Sequence, residues 1–170
     1  MNQNNLSNPF GVVEPDPILR FVFDYWLRKC MMLGRLPGRQ HFDPVDVARK
    51  NPKAIPHIWL LDVERNPYRF RYRLIGHWLK EAGALCRVGD YVDEFVDKAD
   101  PDNLQIRLVR VVEERVPDFR SGSPQLPHSE LVAGISRLSL PLSLDGNAIN
   151  MILCASNYRW TASSGRGHLG

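Results

Sequence analysis

Between Leu138 and Leu153, apolar and polar positions alternate on either side of a turn. Leu138, Leu140, Leu142 and Leu144 are separated by Ser139, Pro141 and Ser143; Ile149, Met151 and Leu153 follow Asp145-Gly146. Period two is the pattern of a strand. Asp-Gly favours a two-residue hairpin loop, because both central residues of that turn need positive φ. Such a loop would set Leu142 opposite Ile149, Leu140 opposite Met151 and Leu138 opposite Leu153. All six would share one side, with Ser139, Ser143 and Asn150 on the other. Pro141 donates no backbone hydrogen bond, so the neighbouring strand at its level must be absent, short or bulged.

Upstream the period changes. Asp16-Pro17 is a helix start, with Asp as cap and Pro at the first helical position, and Gly34 is a stop. Over 17–33 the polar positions Arg20, Asp24 and Arg28 form one stripe, and most of the remaining girth is apolar. A surface helix needs one apolar stripe. The excess predicts a second covering surface, and Phe21, Phe23, Trp26 and Leu27 are the candidate contacts of a homodimer. Asp43-Pro44 starts a short helix that Pro52 and Pro56 end. Residues 58–63, apolar but for Asp62, read as a strand buried on both faces. In 70–74, Phe70, Tyr72 and Leu74 alternate with Arg71 and Arg73. Gly76 ends that strand, a short helix runs from His77 to Ala82, and 85–99 is irregular. Asp100-Pro101 repeats the cap signature and opens a helix to about Arg115. Residues 120–128 read as a Ser/Gly/Pro loop, and 131–144 as a long strand region that Gly134 bends. This order gives an α+β fold, an antiparallel sheet with helices on one face.

Composition narrows the class. A chain of 170 residues, 44% hydrophobic and 24% charged, suits one globular domain that needs neither disulfides nor metals to fold. A net charge of +3, without a basic run, points away from nucleic acid. Three scattered cysteines without a C-x-x-C pair fit a reducing compartment. The first residues have neither the basic start nor the apolar run of a signal peptide, and no apolar stretch approaches the roughly 20 residues that span a bilayer. The expectation is a cytoplasmic protein that binds no membrane.

Five segments together resemble the PAS-like domain family of small, single-domain bacterial proteins. They are Leu36-Pro37-Gly38-Arg39, Phe42-Asp43-Pro44, the run from Pro56 to Val63, the run from Phe70 to Gly76, and the run from Arg137 to Gly146. The resemblance covers roughly residues 20–158. It implies two leading strands, a helical midsection and three trailing strands joined in one five-stranded antiparallel sheet, with an N-terminal helical extension. It also implies sensing by ligand binding or protein contact, without established catalysis. The domain boundaries that follow are 1–34 for the arm and dimerisation helix, 35–160 for the sensor domain, and 161–170 for a disordered tail.

Candidate chemistry is sparse. The five histidines show no metal-ligand spacing. His77 is the one histidine placed where a haem ligand could sit. Cys86 is in the midsection, but without the surroundings of a flavin-reactive cysteine. Asp90, Asp93, Glu94 and Asp97 read as a solvated acidic face. Nucleotide and hydrolase motifs are absent. No cofactor is expected. A cavity between sheet and midsection would be lined by Tyr72, Leu74, Trp78, Phe95, Leu108, Leu140 and Met151. With only one ionisable group on that face, a tyrosine, the expected ligand is small and apolar, and the expected output is contact with a separate signalling partner. The alternative is a small α+β enzyme, isomerase- or hydrolase-like, with its site in the same cavity.

Overall fold

A computed structural model describes residues 8–126 and 129–161. Of the proposed tail at 161–170, residues 162–170 lie outside the described residues, while the Thr161 amide donates to the Leu131 carbonyl. Among the described residues four α-helices, α1 (Pro17–Leu33), α2 (Pro44–Lys50), α3 (His77–Glu81) and α4 (Leu104–Glu114), accompany five strands. These are β1 (Ile58–Glu64), β2 (Arg69–Leu74), β3 (Asp118–Gly122), β4 (Val132–Leu142) and β5 (Met151–Trp160). They form one antiparallel sheet in the order β2-β1-β5-β4-β3.

Local signals start the first helices. Asp16 and Asp43 accept hydrogen bonds from Ile18 and Val45, satisfying donors that a helix N-terminus leaves free. Gly34 ends α1 in the left-handed conformation, at φ 64°. At α4 the cap is Asn103, whose Oδ1 accepts from the Ile106 amide, so the helix starts later than Asp100-Pro101 suggests. Asp100 instead holds the Asp102 amide in a local turn. The loop read over 120–128 begins inside β3, which pairs with β4 from Asp118–Ser139 to Gly122–Ile135. That pairing stops short of Pro141, as its missing donor requires.

The hairpin at Asp145-Gly146 differs from expectation. Leu142 lies opposite Met151 and Leu140 opposite Leu153, a slip of two residues, and residues 143–150 form a longer loop. The reason is local. Only Gly146 takes positive φ, at 87°, while Asp145 instead accepts hydrogen bonds from the Asn147 and Ala148 amides and the Ser143 hydroxyl. Because side chains alternate, a slip of two leaves the residues that remain in β4 and β5 on their predicted faces. Gly146→Val should still cost about 1–3 kcal/mol, since a β-branched residue resists that φ. Gly146→Asn should cost less. Denaturant titration of the two variants checks the ordering.

Helices cover both faces of the sheet, not one. α1 and α2 lie on the face of Leu138, Leu140 and Leu142. There Phe10 joins Phe23 to Phe119, Asp16 accepts from Asn157, and Val47 shares an apolar groove with Leu60, Leu142 and Leu153. α3 and α4 lie on the other face, where Arg107 of α4 grips Asp118. The apolar girth of α1 is thus largely consumed within the chain. Trp26 is fully buried and its indole donates to the Pro141 carbonyl; Phe23 is buried and stacks on Trp26. Phe23 and Trp26 are therefore core residues, which corrects their assignment to a dimer interface. Phe21 and Leu27 remain half-buried, and Met31 and Met32 are exposed at the helix end.

Candidate functional site: a buried arginine between sheet and midsection

The seven residues proposed as a cavity lining do not meet. Tyr72, Phe95 and Leu108 lie on the α4 side. Leu140 and Met151 lie on the α1 side, by their register with Leu153 and Leu142. Trp78 is half-buried at the border, against His57, His77 and Trp160. Leu74 is separated from Tyr72 by a β-bulge. Leu60 pairs with Leu74 but Leu61 with Tyr72, leaving Arg73 as the extra residue. The bulge cancels the alternation, so Tyr72 is buried on the midsection face while Leu74 is 42% exposed in the groove beside α2.

The midsection face carries polar groups. Trp59, Tyr72, Arg137, Ser139, Cys154, Ser156 and Tyr158 are all buried. Trp59 stacks on Tyr72 with ring centres 5.8 Å apart, and its indole donates to the Ser156 hydroxyl at 3.0 Å. Arg137 is 2% exposed and donates to the Gln125 side-chain oxygen at 2.8 Å, while its Nε finds no acceptor. The expected apolar ligand rested on a face without charge, but the face that meets the midsection carries the buried Arg137 guanidinium.

Its neighbour Arg107 is the contrast. Arg107 is held by two carboxylates, with Nε 2.9 Å from Asp118 and Nη1 3.0 Å from Asp102. Among the described residues no carboxylate forms an ion pair with Arg137, and the residue opposite it in β3 is another arginine, Arg120. Burial pushes the Arg137 pKa down; the Asp118 charge opposes that shift, and the Arg107 and Arg120 charges add to it. The Tyr72 hydroxyl adjoins the Cys86 thiol but makes no well-formed hydrogen bond, and burial raises its pKa far above the usual value. A narrow cleft beside it is lined by Tyr72, Ala84, Leu85, Cys86, Phe95 and Leu126.

His77 is exposed. His57 is half-buried, its Nδ1 2.8 Å from the Ser156 carbonyl, and burial lowers its pKa. Asp93 and Glu94 pair with Arg69 on the surface, and Asp90 accepts from the Arg87 amide. Among the described residues no cluster of His, Cys, Asp or Glu could hold a metal ion, and no helix is long and apolar enough to cross a membrane. Compared with known proteins, the chain matches no family model, no curated protein and no solved structure.

Proposed function

We propose that this chain is a sensory module of the PAS type. It holds a small molecule between sheet and midsection, and passes the signal to a separate protein by contact, without chemistry of its own. Two leading strands, a helical midsection and three trailing strands in one sheet support the family resemblance. The observation that carries the reading is the buried Arg137 guanidinium under the midsection, which forms no ion pair among the described residues. A core that only packs gains nothing from an unpaired buried charge, which costs several kcal/mol. Such costs persist where a site needs them.

Binding suits this face better than catalysis. A guanidinium does not exchange protons near neutral pH. Burial pushes the Cys154 thiol up to about 12 and raises that of Cys86, which leaves little nucleophilic thiolate. A cytoplasmic setting fits three free cysteines. A second copy docking on α1 would meet Phe21, Leu27, Met31 and Met32.

Native mass spectrometry of the gently purified protein tests the proposal. The expected result is a fraction heavier than the 19.5 kDa chain, or than its dimer, by the mass of one small molecule per chain. Bare chain in every preparation, with no response to any compound in a metabolite screen, would remove ligand sensing.

A further inference from the structure

The Arg137 site has a chemistry that narrows its ligand. A buried guanidinium presents five N–H donors in a fixed fork. Here one acceptor, Gln125, is in place, Nε is unpartnered, and no carboxylate pairs with the group among the described residues. Arg120 stands opposite it across the strands, and like charges so placed repel. The nearby carboxylates Asp102 and Asp118 are taken by Arg107. What would complete this site is therefore an acceptor bearing negative charge that comes from outside the described fold.

Charge and surroundings limit that acceptor. One guanidinium balances one negative charge, and a dianion would bring a second, unpaired charge into a buried site. A carboxylate matches the guanidinium fork with two parallel hydrogen bonds. A mostly apolar cleft lies on the same face; Arg137 is not in its lining but is close enough for its charge to act on the Tyr72 hydroxyl at the cleft wall. Resting on the ligand-sensing proposal above, we infer that the module recognises a small organic monocarboxylate, its anionic end held by Arg137 and its apolar body in the cleft toward Tyr72 and Phe95. The cleft is too narrow to admit a water-sized sphere. Entry therefore requires some of that lining to move outward, which gives binding a route to a conformational signal.

The test uses the full chain and a panel of straight-chain and aromatic monocarboxylates of four to eight carbons, each with its neutral amide, and inorganic phosphate. Calorimetry and thermal shift are read for the wild type, Arg137→Met and Arg137→Lys. At least one carboxylate is expected to bind saturably, and its amide and the Met variant to bind about ten- to a hundredfold more weakly, the scale of a charged hydrogen bond. Arg137→Lys should keep part of the affinity, and phosphate should not bind. Without ligand, Arg137→Met should melt no lower than wild type, because it removes an unpaired buried charge. A marked drop in its melting temperature would make Arg137 a structural residue and overturn the inference. Equal binding of an amide, or of a carboxylate to Arg137→Met, would overturn the carboxylate assignment while leaving ligand sensing standing. Failure of every carboxylate would do the same, and only failure of every compound class would remove the sensing proposal as well.

Discussion

Phe23→Glu is expected to prevent folding. Phe23 is 3% exposed, stacks on Trp26 and meets Phe10 edge-on. A carboxylate there has no cation partner, and an unpaired buried charge is among the few changes that cost more than about 4 kcal/mol. Domain stabilities are about 5–15 kcal/mol, so this loss takes much of the total. Phe21→Glu, on a half-buried position of the same helix, should fold. Circular dichroism and size exclusion separate the two. A folded Phe23→Glu with cooperative unfolding would show that α1 does not pack as described. The pair also clarifies self-association. Loss of a dimer in Phe21→Glu would place the interface on α1, whereas loss of structure in Phe23→Glu says nothing about it.

The second large effect is expected at Gly76, the short link between β2 and α3. A Cβ there would press on the carbonyl oxygens of Ile58 and Pro56, at 2.6 Å from the latter. Both obstacles are backbone, so no side-chain rotation relieves the clash. Gly76→Ala should cost about 1–3 kcal/mol or more, the range of overpacked cores. For a domain of this size that is a melting shift of about 2–4 °C per kcal/mol. An unchanged melting temperature would mean that the chain at Ile58 can yield, and with it the start of β1.

Much of the fold is legible in the sequence because its signals are local. Asp16-Pro17 and Asp43-Pro44 act through their own next residues, so α1 and α2 start where the pattern puts them. The α4 cap is also local, but there Asn103 outcompetes Asp100, a choice between two caps that spacing does not settle. The parity of β4 and β5 was legible, whereas their register was not, since Asp145 uses its carboxylate to build a wider loop. The site was hidden by one assumption, that the leucine side of β4 is the only inward side. The excess apolar girth of α1 held the missing signal. A helix that apolar needs an apolar sheet face, and the leucine stripe is that face. The midsection is then left with the side of Arg137, Ser139 and Tyr158. The bulge at Arg73, which sends Leu74 away from Tyr72, has no signature in the alternation of Arg71 and Arg73.

Each of the three stacked layers also carries a single thiol. Cys30 is in α1, Cys154 is in the sheet, and Cys86 is in the segment after α3; all three are free and buried. Burial pushes Cys30 and Cys154 up to about 12, so the native chain combines poor access with little thiolate. The molecule thus comes with its own set of reporters. Brief alkylation followed by peptide mapping would date the parting of each layer by the cysteine that first takes the label, and early marking of Cys86 alone would identify the midsection as the moving cover.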